Sequence, residues 1–215
     1  NLNQDKLTYM NNRQYVRSNT GIADILKDWT HIAIVRSQGT GGADDNLTMY
    51  INGQESSTST ISGTIYQSPN PMKLGSFTFP GGWSAHPKNL QDFRFSKTAI
   101  YTCNFTPPDI HTKCCTAPVE PACDEVVLHV QPTSSATIQD TSGNNHTITA
   151  VDGAIYSEDQ TIHGAGGVKF TGGTSTNAYY YFNGSHLQVS ASSDFLFAGD
   201  HTVEAWVWWE DDQLG

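Results

Sequence analysis

The sequence has 215 residues, a formal net charge of −10 at pH 7, 37% hydrophobic residues and 15% charged residues. Its eleven Lys and Arg residues are too few to hold a phosphate backbone, so nucleic acid is not an expected partner. No apolar run approaches the roughly 20 residues that span a bilayer, so membrane insertion is not expected either.

The charge is divided unevenly along the chain. Residues 1–107 carry nine basic and seven acidic side chains, a balance of +2, whereas residues 108–215 carry two and fourteen, a balance of −12. A strongly acidic segment favours solubility, and it also favours contact with a neutral or basic partner over contact with a second acidic segment.

Short strands are predicted through the first part of the chain. Residues 29–36 (WTHIAIVR) alternate for part of their length, and residues 47–54 (LTMYINGQ) are the return strand. The dipeptide Asn52-Gly53 that ends this run is typical of a tight hairpin turn. No convincing helical periodicity is found, and the best candidate, residues 21–28, gives at most two turns. The other expected elements are a hairpin closed near Asn11-Asn12 (7–17), an exposed Ser/Thr edge strand (56–62), a short strand (71–75) and a strand over 90–95.

Residues 101–123 form a seam between two differently patterned regions. This stretch, YTCNFTPPDIHTKCCTAPVEPAC, holds all four cysteines and four of the nine prolines. Proline lacks a backbone donor, so the seam is not expected inside a sheet and instead resembles a stiff linker.

Strands resume after the seam. A buried strand is predicted over residues 126–130 and a turn over the DTSGNN sequence that begins at Asp140. Further strands are expected over 167–171 and within 179–190. Residues 202–209 (TVEAWVWW) form the most hydrophobic predicted strand. Large apolar residues stand at both odd and even positions, and therefore on both faces of the strand, which indicates burial on both faces. The pattern as a whole predicts an all-β antiparallel β-sandwich.

Several of these stretches, taken together, resemble the concanavalin A-like, laminin-G-like jelly-roll family, as found in phage and viral structural proteins. DWTHIAIVRSQG followed by LTMYINGQ is similar to the family's central hairpin, and PMKLGS followed by LQDFRFSKTAIYTCNFTPP is similar to its last strand and exit tail. Beyond the seam, DTSGNNHTITAVDGAIYS, GVKFTG and HLQVSASSDFLFAGDHTVEAWVWW resemble its opening turn and following strands.

The order of these resemblances is reversed. Residues 1–106 resemble the second half of such a module, residues 107–123 a Pro/Cys-rich linker, and residues 124–215 the first half. Two arrangements are consistent with this order: a window cut from a tandem array, or a circularly permuted module whose halves pack on each other. The tandem array is favoured, because repeat arrays are common. In both arrangements, we expect each half to be completed by a complementary half, because a lone half would expose strand edges and an apolar face.

Some relatives of the resembled family hydrolyse glycans, so paired carboxylates are of interest. Glu204 and Glu210 lie at even spacing on one predicted strand and share a face. Six residues separate them, about 20 Å at strand rise, whereas a retaining glycosidase needs about 5–5.5 Å. The compact E-x-D-x-x-E motif of the family's glucanases is missing, and the resemblance places Glu204 where non-enzymatic relatives also carry Glu. Catalysis is not expected.

The DTSGNN turn offers candidate calcium ligands. Asp140, Asn144 and Asp152 supply carboxylate and amide oxygens, which calcium prefers, and some relatives hold calcium near such turns. The favoured alternative is a turn in which these side chains bond their own backbone. No other cofactor is expected.

Aromatic side chains in the loop SFTFPGGWSAHPKN suggest a sugar-stacking site. Trp83 and His86 are the candidate glycan-binding residues, although the loop equally suits packing on a neighbour. None of the eight histidines forms a closely spaced pair of the kind that binds zinc, and His31 matches a core position of the resembled family.

The four cysteines are expected to form two disulfides. Adjacent cysteines rarely bond each other, so Cys103 pairs with Cys114 or Cys115, and Cys123 pairs with the other. Disulfides imply an oxidising, extracellular environment. Free or intermolecular thiols are the alternative.

The expected function is a non-enzymatic structural protein of an extracellular or virion surface, such as a tail fibre or appendage, whose partner is a neighbouring module or chain. This setting is implied by the resemblance. The alternative is a lectin-type module that binds cell-surface glycans, and a glycan hydrolase is the weakest of the three hypotheses.

Overall fold

A computed structural model describes residues 6–11, 14–21, 28–39, 44–62, 71–75, 89–108, 125–132, 137–162, 166–171, 185–196 and 199–209. These residues form fourteen strands and one 3₁₀ helix, Ser193–Phe195. The first seven strands are β1 Lys6–Asn11, β2 Gln14–Gly21, β3 Thr30–Ser37, β4 Asp45–Ile51, β5 Gln54–Ile61, β6 Met72–Leu74 and β7 Asn89–Ser96. The next seven are β8 Val126–Pro132, β9 Ile138–Asp140, β10 Ile148–Val151, β11 Ala154–Ser157, β12 Gly167–Phe170, β13 His186–Val189 and β14 His201–Trp208.

The described strands pair antiparallel in three sheets. The largest has nine strands, with the order β11-β12-β7-β14-β3-β4-β5, with β8 paired to β7 and with β9 paired to β8. The smaller sheets are β10-β13-β6 and the hairpin β1-β2. The all-β antiparallel sandwich predicted from the sequence is therefore confirmed.

Strands from the two sides of the seam alternate within the sheets. The N-terminal half, here residues 6–108, supplies β7 and β3, and the C-terminal half, residues 125–209, supplies β14 between them. Strand β6 likewise pairs with β13 across the seam.

The main core lies between the nine-stranded sheet and the two smaller sheets. One face of β7, β8, β12 and β14 packs against β6, β10 and β13, and the fully buried side chains of this cluster include Phe95, Leu128 and Leu187. A second cluster lies under the β1-β2 hairpin, where Val16 packs with Leu47 and Met49 of β4. Each such side chain, when fully buried, contributes about 1.5–3 kcal/mol by leaving water.

The central hairpin forms as its sequence pattern predicts. In β3, Ile32 and Ile34 face the core, while Ala33 and Val35 face the opposite side. The chain turns from β4 into β5 at Asn52-Gly53, where both residues have positive φ, 49° and 75°, as a type I′ turn requires. The predicted tight turn is confirmed, and β5 is the predicted edge strand, with mostly polar, largely exposed side chains.

The strand predicted over residues 202–209 is central and buried on both faces. Val207 and Trp209 face the main core, and Glu204 and Trp206 face the other side, where both are at most 8% exposed. Apolar residues on both faces of a strand favour a position in the sheet that is covered on both sides.

A bulge in β7 corrects a mismatch in its sequence pattern. Leu90 and Phe93 both belong in the main core but have opposite parity. Asp92, with φ of 57°, and Phe93 together oppose one residue of β14, which restores the alternation. The strand also changes partner there, from β12 at Leu90 to β8 at Phe93.

Two predicted elements lie wholly or largely outside the described residues. They are the candidate helical segment over 21–28 and the aromatic loop around residue 83. Within the described part of the chain, no helix is long and apolar enough to cross a membrane.

Candidate functional site

Glu204 occupies the centre of the sheet face that points away from the main core. Its neighbours in the register are Ala33 of β3 and Arg94 of β7, and its side chain is 1% exposed. Arg94 donates from Nε to Oε1 over 2.8 Å, and a second guanidinium nitrogen lies 2.6 Å from the same oxygen. The hydroxyl of Tyr101 donates to Oε2 over 2.7 Å. Two charge-assisted contacts and a phenol thus hold the carboxylate.

His31 extends this group toward β3. Its Nε2 lies 3.2 Å from Oε2 of Glu204, and both side chains are fully buried. The imidazole meets Trp206 edge to face, with ring centroids 5.2 Å apart, and meets Phe105 at 5.8 Å. Its backbone is fixed by Asn52, whose Oδ1 accepts from the His31 N–H over 2.9 Å. The sequence prediction that His31 occupies a core position is confirmed.

A second buried polar pair lies next to Arg94. His129 of β8 opposes Arg94 in the register, and its Nε2 lies 2.5 Å from Oδ1 of Asp92. Both side chains of this pair are at most 3% exposed. The bulge in β7 is what directs Asp92 away from the main core and toward this imidazole.

Residues 97–108, here called the exit segment, cross this face after β7. Tyr101 and Phe105 stack on each other with centroids 3.5 Å apart, and both pack on Tyr50. The segment is held by two of its backbone N–H groups: Phe105 N donates to Gly53 O over 2.9 Å, and Ile100 N donates to the side-chain Oγ1 of Thr202 over 3.0 Å. The exit segment therefore covers the sheet face that carries Glu204.

The geometry leaves Glu204 no role in glycoside hydrolysis. A general acid or nucleophile must reach the substrate, whereas both oxygens of Glu204 are engaged inside the protein. Its predicted strand partner Glu210 lies outside the described residues.

The predicted calcium ligands act within turns. Oδ1 of Asp140 accepts from the N–H groups of His129 and Ser142 at 3.0 and 2.9 Å, and Oδ2 accepts from His146 N at 3.0 Å. Three of its roughly four lone-pair sites are thereby used.

The amide of Asn144 is turned toward backbone oxygens. Its Nδ2 donates to the carbonyls of Val126 and Val127 at 3.2 and 3.1 Å. Asp152 lies in a separate hairpin turn, with φ of 49°. Among the described residues, no group of three or more His, Cys, Asp or Glu side chains is placed to hold a metal. The arrangement suits the alternative of self-bonded turns, and these residues do not fit a calcium ion well.

The remaining predicted site residues are mostly beyond the described ranges. Trp83 and His86 lie there, and so do Cys114, Cys115 and Cys123. Cys103 is described and exposed, at the outer side of the exit segment. The glycan-binding and disulfide predictions therefore stay predictions.

Burial perturbs one histidine at the start of β14. His201 is 1% exposed, and Nδ1–H donates to the carbonyl of Gly199 over 2.9 Å. Desolvation lowers the pKa of His201 to about 4, although the hydrogen bond to Gly199 opposes this shift. Elsewhere in the sheet, burial would raise the pKa of Asp45, but the Arg36 guanidinium and the N–H of Gly39 hold it below its usual value.

Sequence reasoning missed Arg94, Tyr101, Asp92 and His129 as parts of one group. A signal for Arg94 was present: a strand predicted to be buried on both faces carries Glu204, and a buried carboxylate needs a cation. The sequence did not indicate which cation, because Arg94 is 110 residues away.

One comparison with known proteins identifies a family. The sequence model described as the concanavalin A-like lectin/glucanases superfamily matches residues 4–111. No curated protein and no solved structure matches the chain. The matched range covers half of the chain and includes β1 to β7 and the exit segment, which together carry Arg94, His31 and Tyr101. The chain belongs to the concanavalin A-like lectin/glucanase superfamily.

Proposed function

We propose that this chain is a non-enzymatic structural module of an extracellular or virion-surface protein, such as a fibre or appendage, and that it associates with further copies of itself. The observation that carries the non-enzymatic part is the engagement of Glu204 by Arg94 and Tyr101. A carboxylate paired in this way is held between the strands and is closed to a substrate.

The structural part of the proposal is supported by the interleaving of the two halves. A sheet in which β14 is inserted between β3 and β7 gives each half the strands that it lacks. An extracellular setting suits the family, and the predicted disulfides of the seam would suit it too.

Light scattering over a dilution series tests the self-association. Growth into long assemblies at high concentration supports the fibre or appendage, since head-to-tail contacts that do not close make open filaments. A monomer at every concentration would contradict self-association.

Release of reducing sugar from a panel of glycans tests the non-enzymatic part. The wild type and Glu204→Gln should both give the background rate. Turnover that Glu204→Gln abolishes would show that the carboxylate is catalytic.

The family supports a second candidate, a lectin-type module that binds cell-surface glycans. Trp83 and His86 are the residues proposed to contact the sugar, by stacking and by hydrogen bonding. Glycan-array binding by the wild type that is lost in Trp83→Ala, with an unchanged melting temperature, supports the lectin. Absence of binding by the wild type across the array would count against it.

A further inference from the structure

The buried polar pairs on the outer sheet face share one property. Arg94 with Glu204, His31 with Glu204, and Asp92 with His129 have side chains that are at most 3% exposed, and each pair joins the N-terminal half to the C-terminal half. The Arg36–Asp45 pair, which lies within the N-terminal half, is less buried, since Asp45 is 17% exposed. The most deeply buried of these pairs thus lie at the junction of the halves.

Buried ion pairs contribute little to stability in comparison with apolar residues of the same volume, because desolvation offsets their attraction. They do penalise wrong pairings strongly, since a mispaired strand leaves a buried charge without its partner. Strand β14 presents Glu204 at one register position, opposite Arg94 on one side and Ala33 on the other. A shift by one residue would move the carboxylate to the apolar main core.

We propose that this group is the recognition element between the two halves, and that through it the C-terminal half of one copy can complete the N-terminal half of a second copy. The partner is therefore another molecule of this chain, with the same strands exchanged. This inference rests on the proposed self-association and names the contact that directs it.

Two further features suit an exchanged partner. The surface between the halves is apolar, like the interface of an obligate dimer, because apolar residues of both halves pack in one cluster. The halves also carry opposite charge balances, +2 over residues 1–107 and −12 over residues 108–215, so two like halves repel more than two unlike halves do.

Charge reversal provides the test. Arg94→Glu places two carboxylates at the junction of one chain, and Glu204→Arg places two guanidinium groups there. Refolded separately, both variants should lose the native thermal transition. Refolded together, they can form an exchanged heterodimer in which Glu at position 94 meets Arg at position 204, while Arg94 meets Glu204 in the reciprocal junction. We expect a species of twice the 23.5 kDa chain mass, containing both chains, with a restored transition.

Native monomers from either single variant would overturn the recognition role. A mixture that gives no heterodimer would overturn completion between copies, provided that the chain with both substitutions folds. In the second case the chain with both substitutions serves as the control, because a native monomer from it shows that the reversed pair is tolerated within one chain.

A second variant covers the case in which reversal is not tolerated at all. Arg94→Met with Glu204→Leu keeps the volume and removes the charges, so the chain should still fold but should populate oligomers with mispaired strands. A single native monomer from this variant, with unchanged amide spectra, would overturn the proposal. Both readouts are masses and spectra of paired chains, so they are independent of whether the wild type forms filaments or binds glycans.

Discussion

Arg94 of β7 donates to Oε1 of Glu204 in β14 across the centre of the nine-stranded sheet, over 2.8 Å, between side chains that are at most 3% exposed. The two residues belong to different halves of the chain and are 110 positions apart. This contact, with Tyr101 and His31 around it, distinguishes the outer sheet face from a typical apolar sandwich layer and from a substrate-binding surface.

Removal of the cation should be costly. In Arg94→Met, Glu204 keeps its burial but loses its charged partner, so we expect the free energy of unfolding to fall by about 3–5 kcal/mol. Urea denaturation, monitored by tryptophan fluorescence, measures this loss of free energy. Lys169→Met is the matched control, because Lys169 and Asp159 pair at 2.8 Å on the surface, where a pair contributes about 1 kcal/mol or less. Equal losses in the two variants would contradict the buried role of Arg94.

Trp206 should be the most sensitive apolar position on this face. It is 8% exposed and packs edge to face against His31, so Trp206→Ala should cost about 3–5 kcal/mol. Ile155→Ala on the edge strand β11 is the control, since Ile155 is 47% exposed and its loss should cost about 1 kcal/mol or less. A melting temperature unchanged by Trp206→Ala would show that β14 is not packed as described.

The turn at Gly53 should tolerate no side chain. Its φ is +75°, and a Cβ there would lie 2.0 Å from the carbonyl oxygen of Phe105. Gly143→Ala is a control for backbone strain alone, because its φ is +102° with open space around it. We expect Gly53→Ala to lower the free energy of unfolding by at least about 2 kcal/mol more than Gly143→Ala, since it must also displace the exit segment. Thermal denaturation of both variants checks this, and equal shifts would contradict the contact.

Acid should destabilise the protein through His201. The folded-state pKa of His201 is about 4, below the value of about 6.5 in the unfolded chain, so protonation favours unfolding. The stability that depends on neutral His201 is complete above about pH 6.5 and is lost as the pH falls from there toward 4, by about 3 kcal/mol in all.

A variant isolates this contribution. His201→Asn keeps a donor near the position of Nδ1, which bonds Gly199 O, but it does not titrate. The urea midpoint of the wild type should fall relative to that of the variant as the pH is lowered from 6.5 to 4. Parallel curves would show that His201 does not titrate in this window.

The sequence predicted the elements whose signals are local. Alternation in WTHIAIVR, the Asn52-Gly53 turn and the two-sided apolar pattern of TVEAWVWW all correspond to what β3, the β4–β5 turn and β14 do in the sheet. These features depend on residues within a few positions of one another, so periodicity and turn chemistry were sufficient to predict them.

The polar group on the outer face could not be predicted in the same way. Its members come from β3, β7, β8, β14 and the exit segment, and they meet because the strands of the two halves interleave. The bulge at Asp92 could not be predicted either. A positive φ in a bulge is usually signalled by glycine, whereas here an aspartate adopts the φ of 57°. The sequence marked Asp140 as a candidate calcium ligand or a turn residue, and in the structure its carboxylate accepts three backbone N–H bonds.

Native-state hydrogen exchange tests most directly whether the two halves form one folded unit. Amides of Ala33 in β3, Phe95 in β7, Leu128 in β8 and Ala205 in β14 lie in paired strands from both halves. If the halves complete each other, these amides open with a single free energy, equal to that of global unfolding measured in urea. Two distinct free energies, one for residues 6–108 and another for residues 125–209, would contradict a single folded unit.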